Sequence, residues 1–221
     1  MNVDDAIMHR HSTRAFLDKE VTIEQISHIL AIASHSPSGA NSQPWQVAII
    51  SGESKKRLQS KLELAFTNGI KPSPDYQYYP KTWNEPYHSR RIKCGLQLYQ
   101  SLAINKQDTE QRQAQWQANY RAFDAPVMLL FFIDDVMEAG SLLDYGMFIQ
   151  SLMLAAQEQG LATCPQAALS DYPDIAKQEL GYTTDLKLIA GMALGYEDAN
   201  AAVNTYRTTR EPLSNFCHFF N

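Results

Sequence analysis

Arginines stand beside hydroxyls at both ends of this chain. In Arg10-His11-Ser12-Thr13-Arg14 an extended backbone would turn Arg10, Ser12 and Arg14 to one side, because strand side chains alternate. Two guanidinium forks and a hydroxyl along one edge make a receptor for phosphate. The same residues also suit a solvated basic turn after a helix, where cations complement the helix dipole. Near the other terminus, Asn204-Thr205-Tyr206-Arg207-Thr208-Thr209-Arg210-Glu211-Pro212-Leu213 repeats the pairing and can complete an anion site with the first segment.

Two further segments join small residues to hydrogen-bonding groups. In Pro37-Ser38-Gly39-Ala40-Asn41-Ser42-Gln43-Pro44-Trp45, small side chains allow backbone to approach a flat ligand, while Asn41 and Gln43 donate and accept. Pro44 keeps Gln43 extended. A plain helix-to-strand loop has the same composition. In Gly160-Leu161-Ala162-Thr163-Cys164-Pro165-Gln166-Ala167-Ala168, a strand runs into a proline and two alanines, so backbone N–H groups lie open to a ring nitrogen or simply pack at a strand end.

Other chemistries lack their motifs. Neither Gly-x-Gly-x-x-Gly nor Gly-x-x-x-x-Gly-Lys-Ser/Thr occurs, which removes support for a Rossmann site or a P-loop. No Gly-x-Ser-x-Gly elbow is present. His9 and His11 have no partners at zinc-ligand spacing, so no metal is expected. Cys164 reads as a small core residue rather than a nucleophile.

The elements that must position these groups follow from periodicity and turn chemistry. Helices are expected at 3–9, after a capping box at Thr22 and Gln25 with Ile26, Ile29, Leu30 and Ala33 on one face, at 54–68 closed by Gly69, and at 92–105, 108–120, 142–159 and 173–180. Strands are expected at 45–50, 127–133, 161–164 and 186–194, the second covered on both faces because its apolar run is continuous. Residues 69–90 hold Pro72, Pro74, Pro80 and Pro86 with Tyr76, Tyr78, Tyr79 and Tyr87. They read as an ordered loop that covers something rather than as helix. Residues 200–221 form an arm without a clear period, ending in Phe216, Phe219 and Phe220.

The whole reads as one domain over residues 1–221, since that length fits a single large domain. The formal charge of −5 argues against a nucleic-acid partner. The longest wholly apolar run is seven residues, against roughly 20 for a membrane span, and no signal peptide opens the chain. Three widely spaced cysteines make no disulfide framework, and a cytoplasmic location is expected.

RHSTRAF, SPSGANSQPW, DYGMFIQSLMLAAQEQGLATCPQ and GMALGYED followed by NTYRTTREPL occur in this order over essentially the whole chain, and together they resemble the FMN-dependent nitroreductase family. The resemblance implies an α+β fold with a mixed central sheet flanked by helices. It also implies an intertwined homodimer with FMN at the interface. Arg10, His11, Ser12 and Arg14 match the motif that holds the FMN phosphate and ribityl chain. Pro37, Ser38, Gly39 and Asn41 match the segment that the partner chain lays against the flavin. Ala167 and Ala168 match the backbone facing the N5 edge, and Arg207 and Arg210 the cationic end of the closing arm. Where some members carry an acidic residue and a glycine, this chain has Ala167 and Ala168, so only a backbone role carries over. Nothing in 69–90 corresponds to the usual pyrimidine contacts, although Arg90 or Arg91 can supply a cation there.

The implied activity is ping-pong hydride transfer from NADH or NADPH through flavin N5 to a nitroaromatic, quinone or related small-molecule acceptor. The cofactor carries the chemistry and no side chain is named as catalytic. Two alternatives stand beside it. One is a flavoenzyme of the same scaffold with other chemistry, such as a dehydrogenase, dehalogenase or flavin-degrading enzyme; the other is a flavin-binding protein without turnover.

Overall fold

A computed structural model describes residues 1–220. Its helices begin where short polar side chains satisfy free N–H groups. The Asn2 side chain accepts from the Asp5 amide at 2.8 Å to start α1 (Val3–His9). The expected capping box is present: Gln25 N donates to Thr22 Oγ1 and Thr22 N to Gln25 Oε1, both at 3.2 Å, opening α2 (Ile23–Ala33). The chain continues through β1 (Gln46–Ser51), α3 (Gly52–Thr67), α4 (Tyr87–Ser101), α5 (Thr109–Gln117) and β2 (Val127–Asp134). It then adds α6 (Ala139–Glu158), β3 (Ala162–Gln166), α7 (Pro173–Leu180) and β4 (Leu186–Gly195).

The four strands lie in the order β1-β2-β4-β3, and every neighbouring pair is antiparallel. Parallel pairing enters through an isolated bridge between Ser12 and Thr163. Strand β2 is central, and its alternation sorts one apolar run onto two cores. Met128, Leu130 and Phe132 pack with Leu58 and Leu62 of α3 and Ala176 of α7. Leu129, Phe131 and Ile133 pack with Ile29 of α2 and with Phe148 and Leu152 of α6. The sheet is therefore covered on both faces, which is the condition a continuous apolar strand requires.

Two expectations about the middle of the chain change. Helix α4 starts at Tyr87, five residues before the expected start at 92 and inside the stretch read as non-helical, because Pro86 stands at its N-cap and does not interrupt it. Helix α5 stops at Gln117, and a tight turn follows in which Ala122, Phe123 and Asp124 take φ values of 52°, 52° and 60°. Left-handed backbone costs an L-residue roughly 1–2 kcal/mol.

The rest of the Pro/Tyr segment is an ordered loop, as expected. Asp75 accepts from Lys177 Nζ at 3.0 Å and from Leu188 N at 2.7 Å, and the Tyr76 hydroxyl donates to Ile189 O at 2.7 Å. The arm returns to the N-terminal segment. Asn204, only 3% exposed, accepts from Arg14 N at 2.8 Å and donates to Ala15 O at 2.8 Å and Asp198 O at 2.9 Å.

Gly191 of β4 allows the turn Ala167–Ser170 to lie directly on the sheet. A Cβ there would stand 2.5 Å from Leu169 Cδ1, 2.6 Å from Leu169 Cβ and 3.0 Å from Leu129 O. Gly191→Ala is therefore expected to destabilise the fold by about 1–3 kcal/mol, as overpacking does, read as a lower denaturant midpoint with an unaltered m-value.

Candidate functional site

Segment 10–14 is extended, as its alternation requires. Thr13 N donates to Thr163 O at 3.0 Å, so the segment lies as a short parallel edge beside β3. Thr13 points inward and is fully buried, while Arg10, Ser12 and Arg14 share the more open side. Arg14 Nη1 donates to Ser12 O at 3.3 Å and to the Tyr206 hydroxyl at 3.0 Å, which ties the segment to the arm. Arg10 is half-buried, and its pKa is lowered by burial and then by the charge of Arg210. The fold brings the charges of Arg10 and Arg210, 200 positions apart, near enough to repel. Among the described residues neither Arg10, Arg14 nor Arg210 meets a carboxylate within ion-pair distance, whereas Arg57, Arg90 and Arg121 all do.

The other expected residues divide. His11 Nε2 is 2.9 Å from Glu197 Oε1 and Nδ1 is 3.1 Å from His9 O, so both ring nitrogens have partners within the chain. Arg207 spends Nη1 on the arm's own carbonyls, Asn204 O at 2.7 Å and Tyr206 O at 3.0 Å. Ala167 and Ala168 open the turn after β3 and line a cleft of about 770 Å³. Arg14 and Cys164 line it too, as do Tyr78, Tyr79 and residues of α4 and α5. Cys164 is buried, which pushes its thiol pKa up and leaves it as packing under the arginines.

Pro37, Ser38, Gly39 and Asn41 do not line the cleft of their own chain. The loop is held instead on α6, with Gly39 N donating to Asp144 Oδ2 at 3.0 Å and Gln43 N to Ser38 Oγ at 2.9 Å. Ala40, Asn41 and Gln43 sit at φ values of 52°, 56° and 48°, a strained run presented outward, so Gln43 is left-handed and not extended as Pro44 led one to expect. Arg90 is occupied by Glu211 at 3.3 Å, while Arg91 lines the cleft.

Three participants were not legible beforehand. Asn204 lay inside a noted motif, yet nothing marked it as the residue that clamps backbone at Arg14 and Ala15. Gln166, 4% exposed, donates Nε2 to Asn119 O at 3.0 Å and to Asn119 Oδ1 at 3.2 Å, while its Oε1 is buried without a partner. Asp171 lines the cleft and accepts from the Tyr120 hydroxyl at 2.8 Å across 51 positions. No local pattern signals either pairing.

This arrangement, an α+β sheet whose edge presents arginines and small residues to one cleft, has a recognised class. The family model of the nitroreductase family matches residues 7–196, and the chain belongs to that family. It is 36% identical over 220 residues to the chloronitrobenzene nitroreductase of Comamonas testosteroni, covering 98% of this chain and 96% of that one. To a 4-nitrobenzoate reductase of Pseudomonas putida it is 37% identical over 217 residues, covering 98% and 94%. The crystal structure of the FMN and NADPH-dependent nitroreductase NfnB from Sphigopyxis sp. strain HMH superposes with a TM-score of 0.97 at 36% identity over 100% of both chains. The expected family and α+β fold are thereby borne out. No helix among the described residues is long and apolar enough to cross a membrane.

Burial raises the Asp171 pKa above its ordinary 3.8, with the Tyr120 hydrogen bond opposing. The folded chain thus holds this proton more tightly than the unfolded one. The associated stability is complete at low pH and is lost as pH rises from the unfolded value through the raised folded value. Asp171→Asn, which keeps an oxygen for Tyr120 and carries no charge, is expected to gain in urea midpoint over the parent as pH rises from about 4 to 7.

Proposed function

We propose that this chain is an FMN-dependent NAD(P)H oxidoreductase that reduces nitroaromatic acceptors, with quinones as a second acceptor class. The observation that carries the reading is that Arg10, Arg14 and Arg210, where the arm returns to the N-terminal segment, meet no carboxylate among the described residues, and that Arg14 lines the cleft with Ala167 and Ala168. A doubly charged phosphate is the anion such a cluster suits, and the adjoining cleft is large enough for a planar cofactor. The residues fit FMN in three respects: a carboxylate-free cationic end, a wall of small residues at the β3 edge, and an unpartnered carboxamide oxygen on Gln166.

Arg10, Ser12, Arg14 and Arg210 would hold the phosphate, Ser12 by its hydroxyl. His11, engaged by Glu197, would brace the segment. Arg207 would stiffen the arm. Ala167 and Ala168 would offer backbone to the ring edge, and Pro37, Ser38, Gly39 and Asn41 would reach the flavin of a partner subunit. A homodimer also gives a use to apolar side chains left open in one chain, Phe216, Phe219 and Phe220 at 61%, 87% and 93% exposure and Leu143 at 73%. Bound FMN supplies two-electron chemistry, taking hydride from the nicotinamide and passing it to the acceptor. The relatives and the superposed structure are named for nitroaromatic reduction and for FMN and NADPH, which supports the same assignment. Three free cysteines suit a reducing cytoplasm.

Purified protein is expected to be yellow and to release about one FMN per chain on heating, a ratio that one cleft per chain dictates. A colourless chain that does not take up FMN would remove the reading. Arg10→Ala or Arg210→Ala is expected to weaken FMN binding roughly ten- to hundredfold, equivalent to one charge-assisted bond of about 1.5–3 kcal/mol, followed by flavin fluorescence. Activity should largely return at saturating FMN. A protein that binds FMN but oxidises neither NADH nor NADPH with any acceptor would instead be a flavin carrier. One flavin face serving both substrates in turn would give parallel double-reciprocal plots at several acceptor concentrations; intersecting lines would mean that both bind together.

A further inference from the structure

Among the described residues, six of the nine arginines stand without a carboxylate within ion-pair distance. Four belong to the N-terminal segment and the arm. The remaining two, Arg91 of α4 and Arg112 of α5, also line the cleft. We infer that Arg91 and Arg112 form a second anion subsite, one that receives the charged group of a visiting ligand: an aryl carboxylate on the acceptor or a phosphate of NADPH. The inference rests on the oxidoreductase reading and adds the chemistry of its substrates.

The two side chains are held in the same way. The Arg91 guanidinium lies 5.5 Å from the Trp83 ring centre, and that of Arg112 lies 4.2 Å from the Tyr99 ring centre. An aromatic face steadies a guanidinium through its π-cloud and leaves the N–H edges available to an anion. A carboxylate partner would have occupied those edges, as Glu211 does for Arg90 at 3.3 Å. Successive helical residues point about 100° apart. With Arg90 tied to the arm, Arg91 turns toward the cleft.

The surroundings favour an anion carried on a planar molecule. Tyr78, Tyr79 and Trp116 line the same cleft, and such faces accept a ring. The lining holds a single carboxyl, Asp171, which already accepts from Tyr120 at 2.8 Å. A chain of net charge −5 thus keeps acid groups away from two free guanidiniums at an open wall, where a ligand that comes and goes would meet them. Arg10, Arg14 and Arg210 lie on the N-terminal segment and the arm, elements other than α4 and α5.

The test uses the flavin-loaded enzyme and the variants Arg91→Gln, Arg112→Gln and Arg91→Lys. Two ligand pairs differ chiefly in charge: 4-nitrobenzoate against nitrobenzene, and NADPH against NADH. The kcat/KM ratio of the charged to the less charged member is expected to fall about tenfold in one pair for each Gln variant, through KM, with part of the loss restored by Lys. A fall in the first pair assigns the subsite to the acceptor carboxylate; a fall in the second assigns it to the dinucleotide phosphate. Isothermal titration of 4-nitrobenzoate and of NADP+ into the oxidised protein should show the same ligand losing affinity, with a weaker salt dependence than in the parent. Ratios and affinities that stay within about twofold of the parent for both pairs would overturn the subsite. A parent enzyme that reduces no nitroarene would overturn the oxidoreductase reading instead, and the titrations would still report on Arg91 and Arg112.

Discussion

The structure turns on a short stretch of backbone pairing. Thr13 N reaches Thr163 O, and Asn204 grips the backbone of Arg14 and Ala15 from the other side. Between these contacts the first segment is held extended, with Thr13 buried, Arg10, Ser12 and Arg14 on the more open side, and Arg14 lining the cleft. Without the β3 edge the segment would be a solvated basic turn. Asn204 and the Arg14–Tyr206 hydrogen bond together hold the arm beside it. The Arg10 and Arg210 guanidiniums repel, and neither meets a carboxylate among the described residues.

The sheet supplies the rigidity this arrangement needs. Antiparallel order places β3 at an edge, where one side of its backbone is free to pair with residues 12 and 13. Its neighbour β4 carries Gly191, and the absence of a Cβ lets the turn Ala167–Ser170 settle onto the sheet. Small residues therefore serve two purposes along this edge. They permit close packing underneath and leave backbone open above. Cys164 belongs to the first purpose, buried where a charged thiolate would be costly.

Charge is distributed with the same economy. Arginines on the outer helices and turns are matched to acids, as Arg57 is with Glu179 and Arg121 with Glu63. Those around the cleft are matched to carbonyls, hydroxyls or aromatic rings. Neutral partners fix a guanidinium without quenching it, so the cleft stays cationic within an acidic protein. The Pro/Tyr loop contributes the aromatic side of this wall. Its anchor is Asp75, whose carboxylate faces Lys177 and the Leu188 amide, away from the cleft arginines.

Much of the architecture was legible in residue order because it is local. Capping at Thr22 and Gln25, the uninterrupted run through β2, and the glycines that end helices act over a few residues, and these elements formed near their expected bounds. The pairing of Arg10, Ser12 and Arg14 on one side followed from alternation alone. Pro86 was misread because proline marks helix starts as readily as breaks, and only the following turn decides. What residue order left open was which distant groups meet. The clamp of Asn204 on Arg14, the bond from Tyr120 to Asp171 and the turning of Arg91 to the cleft while Arg90 joins Glu211 all link positions separated by tens to hundreds of residues. Such contacts depend on the order of strands in the sheet and on how helices lie across it. Sequence thus determined which elements could form and which groups could do chemistry. Tertiary structure decided which arginines would be neutralised and which left free, since that depends on which carboxylates the fold brings within reach.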